Sequence, residues 1–363
     1  MRKWLTCLCL VAAPVVAARA QGGFLFQGVS DLELWKTDDK STLLHRTNGQ
    51  PGVIARGDVW AAVEPIRNVV LFGEVWAEGG SARLEQGGDI YTRQYGVRWA
   101  PTDAFSAEGG QIRNIVGTFS SRLLSFRNPL IAMPDGYAPN YPYGARVDGS
   151  AGKVDYRAGV LSLPLYREGY TPPPSHAVRP AIGAGITPTI GMRFGVSASA
   201  GPYLNDSFSA SQLHAQDWKS FRQRVIAGDA QFSRGYFEGN AEIAHGSYDV
   251  PGRATAINGL SFYVEPKYTF TPRFYAAARY ERNDYPFISP LNSTIWIANG
   301  VIVQDVELGA GYRPTARTLL KLSGRKDHWT PNANPNVPKD NGYAVALQWS
   351  QTWDFVELAT RRR

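Results

Sequence analysis

Apolar and polar residues alternate with a period of two from one end of this chain to the other, and no other feature restricts its fold as much. Between Gly259 and Phe270, the residues Leu260, Phe262, Val264, Tyr268 and Phe270 fall on one face, while Ser261, Glu265, Lys267 and Thr269 fall on the other. Phe274, Ala276, Ala278 and Tyr280 oppose Arg279 and Glu281 in the same way, and Phe237, Gly239, Ala241 and Ile243 oppose Glu238, Asn240 and Glu242. Near the end, Tyr343, Val345, Leu347, Trp349, Trp353 and Phe355 lie opposite Gln348, Ser350, Thr352 and Asp354. This is the pattern of half-buried strands. Plentiful Gly (37), Tyr (18) and Trp (10) disfavour helices and favour strands. After Gln21 no apolar run is long enough for a transmembrane helix, so the chain reads as all-β.

Alternation alone suits a soluble sandwich, whose oily face lines a core, as well as a barrel, whose oily face meets lipid. Three features select the barrel. The segments run to about 10 to 13 residues, close to the roughly 9–11 of a tilted membrane strand and longer than the usual 5–6 of soluble sheets. Aromatic residues such as Trp99, Phe105, Phe270, Phe274, Tyr312, Trp353 and Phe355 collect at segment ends, as interfacial girdles require. Connections alternate short and long, and the short ones share a proline: Ala100-Pro101-Thr102, Thr187-Pro188-Thr189, Thr271-Pro272-Arg273 and Arg313-Pro314-Thr315. Proline fixes φ and lacks a donor, so it suits a turn and not a central strand. Segments begin near Phe24, Val53, Val69, Ile90, Ala104, Arg146, Tyr156, Val178, Ile190, Arg222, Tyr236, Leu260, Phe274, Val303, Thr318 and Tyr343. The expectation is a transmembrane antiparallel up-and-down β-barrel of about 16 strands over residues 21–355, with fourteen or fifteen left open by the weakly patterned pair near Arg146 and Tyr156.

The first twenty residues read as an address. Arg2 and Lys3 precede an apolar stretch from Leu5 to Ala18, and Ala18-Arg19-Ala20 supplies small residues before Gln21. That order is a secretory signal peptide over residues 1–20, and the stretch is shorter than the roughly 20 residues of a membrane anchor. Cys7 and Cys9 both fall inside it, so the mature chain has no disulfide or thiolate metal site. Removing Arg2, Lys3 and Arg19 takes the basic count from 38 to 35 against 31 acids, a net +4, of which Arg361, Arg362 and Arg363 supply three in a short basic tail at 356–363. Charge therefore gives no support to a nucleic-acid partner.

The longest connection, from about Ile115 to Gly144, follows the fifth segment and carries Leu123, Leu124, Phe126, Leu130, Ile131 and Met133. A solvated loop would not hold such residues, whereas one folded into the lumen packs them on the wall; the alternative is a loop packed over the mouth or against a neighbouring subunit. With the alternating segments and proline-marked turns, this arrangement resembles the Gram-negative outer-membrane porins, of the general diffusion and phosphate-selective types. The resemblance covers the whole mature chain and is architectural. It implies passive diffusion of small polar or ionic solutes through a water-filled barrel in the outer membrane, narrowed by an inward third outer loop, often in a homotrimer. Mapped by position, it makes Arg113, Arg122, Arg127 and Asp135 the loop-side candidates for the constriction. One departure is that Phe355 is followed by Val356 to Arg363, where porins end on an aromatic residue.

Among the residues expected to face the lumen, acids outnumber bases. Arg157, Arg179 and Arg193 fall on three consecutive segments as a basic ladder, and charged rings of either sign set ion preference in pores. They read equally as solvated pairs on a wet wall. A second functional reading is a scaffold or sheath that holds a partner protein or binds a surface ligand, for which Tyr137, Tyr141, Tyr143 and Thr171-Pro172-Pro173-Pro174 speak. No nucleophile elbow, zinc motif or phosphate loop occurs, and the five histidines are scattered. The sequence thus points to no enzyme, cofactor or metal; His245 with Ser247 is the one pairing worth testing for catalysis.

Overall fold

The structure is a computed structural model that describes residues 23–39, 49–82, 88–134, 141–162, 177–204, 208–288, 297–331 and 341–355. The alternating segments form sixteen strands: β1 (Phe24–Thr37), β2 (Gly52–Ile66), β3 (Val69–Gly79), β4 (Gly88–Thr102), β5 (Phe105–Gln111), β6 (Tyr143–Ala151), β7 (Val154–Leu161) and β8 (Arg179–Thr189), then β9 (Met192–Pro202), β10 (Arg222–Arg234), β11 (Phe237–Tyr248), β12 (Ile257–Thr271), β13 (Phe274–Ile288), β14 (Ile297–Thr315), β15 (Thr318–Pro331) and β16 (Tyr343–Asp354). Each pairs antiparallel with its neighbour in sequence. β1 closes on β16 from Gln27↔Asp354 to Thr37↔Ala344, so the barrel has no open edge. Closure matters because lipid offers no partner to an unpaired backbone N–H or C=O.

Leu32, Leu34, Val97, Ile182, Val196, Ile226, Val264, Val306, Leu308, Leu322 and Leu347 are exposed on the outside. An aromatic girdle marks one end of the barrel, where the Tyr268, Phe270 and Phe274 rings follow one another at 5.0 and 5.6 Å and Trp99 meets Phe105 at 5.8 Å. Aliphatic outside, aromatic at the rim and charged inside is the arrangement of a transmembrane barrel. No helix among the described residues is long and apolar enough to cross a membrane.

Seven connections have only two residues between strand ends and all lie at the girdle end; β6–β7 and β10–β11 turn at Gly152 (φ 61°) and Gly235 (φ 60°). Prolines sit slightly differently from the expectation. Pro101, Pro188 and Pro314 fall within the last strand residues, each at a register shift just before its turn, and Pro65 in β2 repeats the device. A residue that cannot donate to the ladder is tolerated where the ladder is already broken. Only Pro272 lies in the turn itself.

Candidate pore constriction

The described residues of the β5–β6 loop, 112–134 and 141–142, enter the barrel instead of arching over it. Ile112 makes the last ladder-like bond, to Pro142 O at 2.9 Å, and the Asn114 side chain then accepts from Val116 N at 3.0 Å. Gly117 turns the chain with φ 77°, and a Cβ there would come within 2.7 Å of Glu242 Oε2. Glycine is required both by the conformation and by the approach to the wall. On either side of it, Ile112, Ile115, Val116 and Phe119 pack on Leu161 of β7, Ala181 of β8, Val225 and Ala227 of β10 and Ala244 of β11. Farther along, Leu130 packs on Tyr275, Ala277 and Leu319, and Ile131 on Trp35, Ile54, Ala344 and Ala346. The loop is thereby in contact with the inner wall from β7 round to β2.

Polar groups fix its register. Glu242 accepts from Thr118 N (3.0 Å), Thr118 Oγ1 (2.7 Å) and the Tyr263 hydroxyl (2.7 Å). Arg122 donates to that same hydroxyl at 2.8 Å and to Glu265 at 2.5 Å. Burial opposes the Arg122 charge, but Tyr263 and Glu265 outweigh it and hold the guanidinium above its ordinary pKa. Glu265 also takes Arg279 at 3.1 Å, and Arg279 reaches Glu307 at 2.5 Å and Ala132 O at 2.7 Å. Glu307 in turn accepts from Ile131 N and Ala132 N at 3.2 and 3.1 Å. Lys321 donates to the carbonyls of Ser125 (2.9 Å), Asn128 (3.1 Å) and Leu130 (2.9 Å). Charges alternate along Arg122–Glu265–Arg279–Glu307, the condition under which buried ions are tolerated.

The opposite wall is also paired, yet it stays wet. Arg193 bridges Asp155 (2.7 Å) and Asp229, Arg146 meets Glu108 at 3.2 Å, and Arg98 meets Asp148 at 3.5 Å. Side-chain exposures of 44% for Arg98, 33% for Asp155 and 27% for Asp148 contrast with 0% for Arg279 and Glu265 and 1% for Glu307. The loop therefore buries the Glu265, Arg279 and Glu307 charges, whereas Arg98, Asp148 and Asp155 keep access to water.

No protein-family model matches this chain, and no curated protein matches it in sequence. Solved structures do match. The anion-selective porin from Comamonas acidovorans superposes with a TM-score of 0.62 at 10% identity, covering 92% of this chain and all of that one (100%). Salmonella typhi OmpF, solved in complex with daunomycin, gives 0.60 at 14% identity over 91% of this chain and 98% of that one. The chain has the sixteen-stranded porin fold. OmpT, an outer membrane protein of Vibrio cholerae, shares the fold at 0.57 and 15% identity, over 92% of this chain and 98% of its own.

Within this porin fold the residues singled out from the sequence take unlike positions. Arg122 is a strut between loop and wall. Arg127 is exposed, and its guanidinium donates to Ser121 O at 3.1 Å. Arg113 is half-buried and acts electrostatically on Tyr141, whose phenol burial pushes above its ordinary value against the opposing pull of Arg93. Asp135, Tyr137 and Thr171–Pro174 lie outside the described residues, as do 1–22 and 356–363. Of the ladder, Arg193 is neutralised by two aspartates, Arg157 lies 3.9 Å from Asp229, and Arg179 is completely buried near the long-loop end. The ladder residues thus do not gather with the loop arginines. His245 and Ser247 share the outer face of β11, beside an apolar groove lined by Pro180, Ile182, Ala198 and Ala200, and do not face the lumen.

Two wall bases escaped the sequence reading. Arg146 sits in the weakly patterned β6. Arg93 is the extra residue of a bulge in β4, where the register shifts between Glu74 and Val75. The bulge turns it inward beside Gln94, over the Trp76 ring at 3.7 Å and onto Asp58 (2.6 Å) and Glu74 (2.9 Å). Strict alternation cannot place such a residue. A signal for the docked loop was present, however: Ala227, Ala244, Ala277, Leu319, Ala344 and Ala346 interrupt the polar face of their strands where the loop lands.

Proposed function

We propose that this protein is an outer-membrane channel through which small polar or ionic solutes diffuse passively. The observation that carries the reading is the divided lumen. An inward loop is clamped to β12–β15, and a strip of half-exposed charge pairs remains along β4–β9. A water-filled passage lined by charges of both signs accepts hydrated polar solutes and rejects apolar ones. The exposed Arg127, together with Arg113 and Asp135, forms the loop side of the constriction in this proposal, and Arg122 sets the loop's position. Export relies on the signal peptide at 1–20, with 21–355 as the barrel and 356–363 as its tail. The assembly is a homotrimer, as in the trimer form of Vibrio cholerae OmpT. No cofactor, metal or catalytic step belongs to this reading.

A sheath for a partner protein fits less well, because the β5–β6 loop occupies lumen that an enclosed partner would need. Single-channel recording of the refolded mature chain in a planar bilayer tests the proposal. Stable ohmic steps support it. Folded protein that stays electrically silent, yet conducts once the β5–β6 loop is cut, refutes the open channel.

A further inference from the structure

Near the long-loop end of the barrel, two polar side chains on β8 and β10 are completely buried without partners among the described residues. Arg179 opens β8 and is 0% exposed; Gln223 of β10 is also 0% exposed. Between them lies Gly201 of β9, which pairs with Gln223. A Cβ at Gly201 would stand 2.7 Å from Arg179 Cγ, so the arginine stem lies against the glycine, one strand away from Gln223. Among the described residues, none of the three guanidinium nitrogens of Arg179 has a hydrogen-bond acceptor, and neither amide atom of Gln223 has a partner. Tyr248, paired with Gln223, forms the far side of the site.

Residues 203–204 and 208–221 pack beside this point. Tyr203, Leu204, Leu213 and Phe221 join Tyr248, Val250 and Ile257 in one apolar cluster, and Tyr203 stacks edge-on against Tyr248 at 5.5 Å. A guanidinium stays protonated in any protein environment, and in a dry apolar pocket its desolvation is severe without a countercharge. Arg179 and Gln223 together present seven N–H donors against one acceptor oxygen. That donor excess suits an anion far better than a neutral donor-acceptor such as water.

We propose that Arg179 and Gln223 form a closed site for one small inorganic anion of halide size. The anion is structural rather than in transit, since both residues are shut off from the passage. It holds residues 203–204 and 208–221 against the barrel by supplying the countercharge that the described residues do not.

The test is to refold the mature chain from urea into detergent in sodium chloride, sodium bromide or sodium gluconate of equal ionic strength, then to follow thermal unfolding. A ligand bound only by the folded state raises the midpoint by a few degrees as its concentration rises. Chloride and bromide should do so saturably, and gluconate, too large for the site, should not. Arg179→Met should abolish the difference between salts, and Gln223→Leu should weaken it. Equal wild-type midpoints in all three salts would overturn the proposal, as would a chloride effect that survives in Arg179→Met. If Arg179→Met does not fold, an unchanged chloride effect in Gln223→Leu refutes the site as drawn.

Discussion

Replacing Lys321 by methionine asks whether the inward loop is held by specific bonds or merely by packing. The ammonium is buried and donates to three loop carbonyls, those of Ser125, Asn128 and Leu130, at 2.9, 3.1 and 2.9 Å. Hydrogen bonds from a charged group are worth about 1.5–3 kcal/mol each, which makes roughly 5–9 kcal/mol for three. Against this stands the cost of burying an ammonium, several kcal/mol. The net is on the order of 2–4 kcal/mol, a shift of roughly 30- to 700-fold in the ratio of docked to undocked loop. Methionine keeps the length and apolar stem, so Leu130 retains its contacts with Tyr275, Ala277 and Leu319. The barrel itself should survive, because sixteen strand pairings are untouched. The expected outcome is normal folding by circular dichroism, faster amide exchange across 124–132, and larger, noisier conductance steps in planar bilayers. Unchanged exchange in that segment and unchanged conductance would refute the clamp and leave packing alone to hold the loop.

Other substitutions separate anchoring from ion selection. Arg127→Glu should move the reversal potential under a salt gradient towards cation preference with little loss of stability, since the side chain is exposed; no movement would take Arg127 off the passage. Arg122→Glu should instead destabilise the protein by about 3–5 kcal/mol, because it sets two carboxylates together where Glu265 is buried, and the two variants can be compared by urea unfolding. Glu242→Ala removes the acceptor for Thr118 N, Thr118 Oγ1 and Tyr263, so exchange at 116–119 should rise while that at 128–132 holds; uniform loosening would contradict two separate anchors. On the lipid side, Leu308→Arg should cost about 2–4 kcal/mol of folding in bilayers if the residue lies near the midplane, and a value near zero would place it at the interface.

The strands were legible because the outward faces of all sixteen obey one demand, an apolar surface for lipid, and no tertiary partner can relax it. Even the weakly patterned pair near Arg146 and Tyr156 became β6 and β7. The lumen was less legible because its residues answer to partners far away in sequence. Arg122 and Glu265, or Lys321 and the Ser125 carbonyl, meet only after closure brings the loop across, and the bulge that re-aims Arg93 breaks the period on which any facing argument depends. The same non-locality explains why a tally of acids and bases cannot give the sign of ion selectivity. Arg193 is cancelled by Asp155 and Asp229, and Arg56 is cancelled by Glu33 and Glu78. The Glu265, Arg279 and Glu307 charges are sealed beneath the loop. Among the described residues, Arg127 and Arg98 are exposed bases with loose matching or none, and such groups would weigh most on a passing ion. A chain whose inner wall is richer in acids can therefore present a basic passage, which reversal-potential measurements on Arg98→Ala and Arg127→Ala would show as a stepwise loss of anion preference.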